Sequence, residues 1–498
     1  MKIKTGIFIV WLVICASLSA ASAIEQGEEF KIFQTDQRMK VDGKLDDWRK
    51  VEGIPIVKTP VDKIVEPSSD LTVTAFFSFD TKNFYAAVKV RDDMLEYPSR
   101  SWRYGDGFYL TFLDPYKGEE SDRFYTFGFS REEKQDVKVL VNKDGEYFPA
   151  LEINDIELAI ERDEKKGSIV YELAIPWETI PPLMPFIHDE WEINLIYIDR
   201  DQGKRKQVLQ LHADQAYDTE ITKLRKGAVV RFEKHVPQYP ELQATFNATH
   251  FFNDDEKILT LAINSPIDMT NWKIRYELSS AKKNLSFNED LAFKKGMNFI
   301  KHKVENLEES SGTYVLSLAV IDDANSLKFR SDHSFFVVNR EEFQEFKAKS
   351  VEAKKSESYK EDEIFKASLP TYEIRLEWLE EFMEDAQPFA DVHPLQLWME
   401  ELESLSKKIE EGKPSLFPPG QIVRLAHRSS IDGTLQPYSI FVPPTYTGQY
   451  SIPLFVTLHG SGVDERNTIF YAARLTSRRG HFIILAPRAR GLSDWYLG

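Results

Sequence analysis

Apolar positions recur at every second residue along much of the first 340 residues, then at every third or fourth, and finally gather into short unbroken runs. Residues 71–79 and 84–90 alternate around the polar turn Asp80-Thr81-Lys82-Asn83, which predicts two adjoining strands. The runs 108–113, 124–129, 169–175 and 191–197 repeat this with many aromatic residues. Short strands separated by polar turns predict a β-sandwich. Pro237-Gln238-Tyr239-Pro240 reads as a linker. Beyond it, 244–247, 258–263, 272–278, 312–321 and 333–338 are again strand-like. They predict a second sandwich of about 100 residues, immunoglobulin-like in its spacing. No set of reactive side chains stands out in it, so a spacer is expected.

The period then changes. Residues 340–366 are dense in Glu and Lys with few large apolar residues, and read as helical, exposed or both. Leu376, Trp378, Leu379, Phe382 and Met383, then Leu397, Trp398, Leu402 and Leu405, fall at helical spacing around a break bracketed by Pro388 and Pro394. Two helices packed on each other and on the following segment are expected; tryptophans lining a substrate entrance are the other reading. In the last stretch, Asp432-Gly433 is a hairpin signal between 421–429 and 436–442. The apolar runs 454–458 and 482–486 read as buried strands around a helix at 468–477.

Composition narrows the classes. A formal net charge of −17 over 498 residues argues against nucleic acid and anionic membrane as partners. Lys2 and Lys4, the apolar stretch 7–18 and Ala21-Ser22-Ala23 read as a signal peptide, residues 1–23, so a secreted protein, extracellular or periplasmic, is expected. Cys15, the single cysteine, lies inside that leader, and bulky Ile14 before it weighs against a lipid-modified cysteine. The remaining chain, without cysteine, must hold together by its cores alone, in about three domains. No later segment is long and apolar enough to cross a membrane. The ten histidines are scattered without metal-site spacing, which leaves metal hydrolysis unsupported.

Val41-Asp42-Gly43-Lys44-Leu45-Asp46-Asp47-Trp48 resembles the opening motif of family 9 carbohydrate-binding modules. The strand 85–90 followed by Arg91-Asp92-Asp93 is similar to another of their motifs. Trp102 with Gly105-Asp106, then 172–177, then Ile198-Asp199-Arg200-Asp201, follow in the family's order. The resemblance implies a jelly-roll-like sandwich over residues 24–235 that binds a polysaccharide or oligosaccharide, in a family that often holds a structural calcium; no other cofactor is expected. Sugars offer apolar ring faces and a rim of hydroxyls, which suit aromatic plates and bidentate polar groups. Trp102, in a loop, is the candidate plate, and Arg123 resembles a family position that contacts hydroxyls. Alternatively, Trp102 caps the core and Arg123 pairs with Asp106. Tyr109 is the third candidate for the sugar site; it stands where sugar-binding members carry an acidic residue, which also allows a purely scaffolding domain. Trp48 and Trp177 are expected in the core. Asp42, Asp46 and Asp47 are either calcium ligands or a solvated turn.

The run Pro453-Leu454-Phe455-Val456-Thr457-Leu458-His459-Gly460-Ser461-Gly462, with the motifs at 432–443 and 486–491, resembles the opening of an α/β-hydrolase of the prolyl-oligopeptidase-like or esterase kind. In that family the amide of Gly460 or Ser461 would serve an oxyanion hole. The nucleophile elbow, acid and histidine of the triad are absent. Ser461 does not sit in a G-x-S-x-G context, and Asp464 and His481 are not placed as the family's acid and base.

The expected architecture is therefore multi-domain: a jelly-roll-like sandwich (24–235), an immunoglobulin-like spacer (236–340), a helical linker (341–414) and an incomplete α/β-hydrolase start (415–498). Two functions follow. One is a secreted polysaccharide-targeted serine esterase or peptidase-like hydrolase, represented here by a fragment; the other is a non-catalytic carbohydrate-binding protein with a vestigial tail. For residues 1–498 themselves, sugar binding without hydrolysis is expected.

Overall fold

The computed structural model describes residues 29–65, 70–96, 105–113, 124–131, 136–143, 146–163, 167–180, 183–201, 204–213, 227–281, 284–305, 311–384, 392–411, 419–459, 465–476 and 482–488. Residues 1–23, read above as a signal peptide, and Trp102, Arg123, Gly460 and Ser461 lie outside them. The chain divides into two compact units, through Glu241 and from Leu242.

In the first unit Gly107–Leu113 pairs antiparallel with Phe124–Arg131 and with Glu190–Asp201. Asn83–Asp92 pairs in the same sense with Leu71–Phe79 and Ser168–Pro176. The strand Glu29–Gln34 joins these halves through parallel pairings with Ala228–Glu233 and Leu71–Phe79. The sheet therefore turns back on itself. Phe84 of one half meets Phe112 of the other at 5.2 Å, and Phe108 meets Tyr171 at 5.3 Å, both edge to face. Trp177 seals one end against Phe79, Phe84 and Phe232. Trp48 and Trp177 are both 2% exposed, as core residues should be.

The second unit holds a sandwich, a helical layer and a small mixed sheet. Its sandwich faces a three-stranded sheet with a five-stranded one around Leu261, Trp272, Tyr276, Leu316 and Phe335. Helix Arg340–Ala353 follows directly; the Asn339 side chain caps it by accepting from Glu342 N (3.0 Å), and Phe343, Phe346, Ser350 and Ala353 form its buried stripe. With helices Glu363–Glu384 and His393–Glu410, these residues form a core that also takes Phe252, Phe336 and Val338 from the sandwich.

The other side of helix Glu363–Glu384 supports the final sheet. Ile374 and Trp378 pack on Ala426 and Leu435, while buried Ala426 N donates to Thr371 Oγ1 (3.0 Å) and Arg375 Nη2 donates to Arg424 O (2.9 Å). The segment read as a linker is thus a shared layer with apolar faces on two sides. The Arg424 guanidinium stacks over Trp378 (3.9 Å) and pairs with Glu465 at 2.6 Å, with Glu465 fully buried. Burial pushes Arg424 down to about 10. Glu465→Ala would leave that cation uncompensated, a loss of about 3–5 kcal/mol in chemical denaturation of the full chain. A loss below about 1 kcal/mol would show that the pair is not holding the helix Glu465–Thr476.

Candidate functional site

Strand ends in the first unit collect carboxylates at one place. Leu71 is in register with Asp92, so Asp70, Asp92 and Asp93 meet where two strands end; Asp199 and Asp201 arrive on the end of Glu190–Asp201. Carboxylate oxygens of Asp92, Asp199 and Asp201 lie within 4.8 Å of one another, and so do those of Asp70, Asp93 and Asp201. Asp92 is 3% exposed, and its Oδ2 is buried without a hydrogen-bond partner among the described residues. Gly167, at φ +57°, lets the next turn close; a Cβ there would stand 2.8 Å from Asp92 O.

Asp106 secures this corner. Fully buried, it accepts from Glu96 N (2.6 Å) and Arg200 N (2.8 Å), while Ser130 Oγ donates to its carbonyl (2.7 Å). Burial pushes Asp106 up to about 8 and Asp92 up to about 6 against the pull of the amides they accept from, and neighbouring aspartates add to the rise. Converging hard oxygens with one buried acceptor lone pair free suit a calcium-like cation. The residues present fit such an ion.

The aspartates at 42, 46 and 47 do something else. Asp42 Oδ1 accepts from Lys44 N (3.1 Å), Asp47 Oδ2 accepts from Lys40 N (3.0 Å), and Asp46 pairs with Arg49 (2.6 Å). They shape a turn, which is the second of the two readings above. The motif they belong to is fixed from a distance by Glu172. Its carboxylate, 1% exposed, accepts from Trp48 Nε1 (2.7 Å), Asp42 N (2.8 Å) and Gly43 N (2.8 Å). Gly43 has φ +78°, and a Cβ on it would stand 2.7 Å from the Glu161 side chain.

Tyr109 points away from the aromatic core. It is 8% exposed and clusters with Val137, Val139, Val141, Ile196, Ile198 and Val208 on the other face of the sheet. The same face carries a buried polar row that sequence reading missed. Thr111 and Thr126 hydroxyls lie 3.0 Å apart, and Asn194, opposite Thr111, exchanges two hydrogen bonds with the His212 backbone. Strand alternation could have found them, since Thr111 sits two residues after Tyr109.

This is a sandwich domain tied at its strand ends by carboxylates, and residues 41–219 match the model of the carbohydrate family 9 binding domain-like family. Similar solved structures include a family 9 carbohydrate binding module from Caldicellulosiruptor kristjanssonii in complex with cellotriose. It is 11% identical, with 42% of this chain and 95% of that one covered and a TM-score of 0.33. The complex of such a module from that organism with glucose gives 11%, 41%, 96% and 0.32 for the same quantities. A putative carbohydrate-binding protein from Bacteroides uniformis gives 9%, 42%, 100% and 0.28. No curated protein matches the chain.

Proposed function

We propose that this is a secreted carbohydrate-recognition protein whose first unit holds an oligosaccharide or polysaccharide. The observation that carries the reading is the family match over 41–219, on a region folded as a sandwich. Trp102 supplies the plate for a sugar ring, and Arg123 gives paired N–H donors to vicinal hydroxyls. Asp92, Asp199 and Asp201, with Asp70 and Asp93, hold a calcium ion, whose charge balances theirs and fastens the strand ends. In titration calorimetry of the full chain with cello-oligosaccharides, Trp102→Ala raises Kd at least about 10-fold, or about 1.4 kcal/mol, with unchanged melting. Equal affinity of both proteins, or no binding across a broad glycan panel, overturns the reading.

A second reading concerns the final sheet. Its strands Ile422–Arg428, Leu435–Phe441, Leu454–Val456 and Ile483–Pro487 are ordered first, second, fourth, third. The second and fourth run antiparallel, and the third and fourth run parallel with helix Glu465–Thr476 between them in sequence. This order supports an α/β-hydrolase start, which would give the chain an acyl-transfer site besides its sugar-binding unit. His459 Nε2 donates to Arg488 O (2.8 Å), which ties the residues that follow the third and fourth strands to each other. Gly460 or Ser461 would then offer an amide to an oxyanion.

A further inference from the structure

The five-stranded sheet of the second unit has an outer face that nothing above uses. Register places Arg275, Ala319 and Arg330 side by side on three neighbouring strands, with Asn288 next to Arg275 on a fourth. Strands stand about 4.8 Å apart, so the two arginines flank the small Ala319 at about 10 Å from Cα to Cα. Between them opens a cavity of about 410 Å3. Among the described residues Arg275 Nε reaches the neutral amide of Asn288 (3.4 Å), and Arg330 Nε lies 3.5 Å from Asp332. Both guanidinium forks stay exposed over an alanine floor, in a chain of net charge −17.

The rows on either side decide what the forks can hold. One row is Glu277, Ser317 and Asp332, two carboxylates and a hydroxyl that accept from sugar hydroxyls. On the other side the row is Lys273, Ile321 and Leu327; the last two, Leu327 58% exposed, offer an apolar wall of the kind that takes the C–H face of a ring, and exposed Lys273 adds a cation at its end. Asn325 adds an amide at the rim. A hydroxyl-rich ring with one planar anionic substituent satisfies all three rows, and a carboxylate matches the arginine fork in a bidentate fashion.

We propose that this face is a second saccharide site, selective for sugars bearing a carboxylate. The uronate carboxylate sits over Ala319 between Arg275 and Arg330, with its hydroxyls toward Glu277 and Ser317.

Native electrophoresis of the full chain through gels containing polygalacturonate tests it, with fully methyl-esterified polygalacturonate and a neutral glucan as controls. Expected is retardation by the acid form that falls at least about 10-fold in the ester gel and weakens from about 50 to about 500 mM salt. Arg275→Gln with Arg330→Gln removes it, and so does Ala319→Glu, which keeps both arginines and fills the floor. All three positions face solvent, so melting temperature should hold; the glucan gel should be unaffected by either variant, which separates this site from that of the first unit. Free migration of the parent chain in the acid gel overturns the proposal. Equal retardation of parent and both variants, or of acid and ester, does the same.

Discussion

Glu172→Ala is expected to unfold the first unit at temperatures where the parent is native. The carboxylate is the shared acceptor for three buried or half-buried N–H groups, from Trp48, Asp42 and Gly43. Each donor left without an acceptor costs about 1–3 kcal/mol. Total stabilities of about 5–15 kcal/mol leave little margin for three such losses. Calorimetry of the full chain should show a transition lowered by about 10 °C or more. Trp48→Phe, which removes one donor and leaves the carboxylate with two, should cost less. If Glu172→Ala melted within about 2 °C of the parent, the motif would owe its form to local turns alone.

The carboxylate corner should make the same unit respond to pH and to calcium together. Asp106 and Asp92 are pushed up to about 8 and about 6, both chiefly by burial. A carboxyl with a raised folded pKa binds a proton that the unfolded chain has released. Its contribution is full below the unfolded value and is lost as pH rises through the folded one. In chelator, the melting temperature should therefore fall between about pH 4 and 8. Millimolar calcium should restore it at pH 8 and act less at pH 5, where protons compete for Asp92. Asp92→Asn with Asp199→Asn should abolish the calcium response and raise the chelated protein's melting at pH 8. Melting that stays flat across this range, with no calcium effect at any pH, would rule out a cation at this corner.

The strands easiest to read were those with one wet face. Residues 71–79 and 312–321 appear in the structure with the bounds their alternation predicts. Asn284–Phe293 and Gly296–Lys303 escaped notice because much of each is exposed and polar, so little apolar signal marks them. Helix Glu363–Glu384 begins well before the apolar stripe suggests and runs through Pro370, which sequence rules place at a boundary. The site divides in the same way. Asp42-Gly43 and Trp48 are visible as a motif, yet their purpose depends on Glu172, well over a hundred residues later. The acidic corner is assembled from strand ends at 70, 92 and 199–201, a proximity that only register supplies. Similarly, Arg275 and Arg330 carry no local signal; Ala319 between them makes them neighbours.

The helical layer of the second unit has a consequence for how such a chain can be rearranged by recombination. Phe343, Phe346 and Tyr372 belong to one apolar core with Phe336 and Val338, and Ile374 on the same helix as Tyr372 belongs to another with Ala426. A crossover anywhere from residue 340 to 420 would separate halves of a core and leave greasy surfaces on both products. Recombination that keeps the sandwich, helices and terminal sheet together preserves both cores, and a crossover near residue 241 falls between the two compact units.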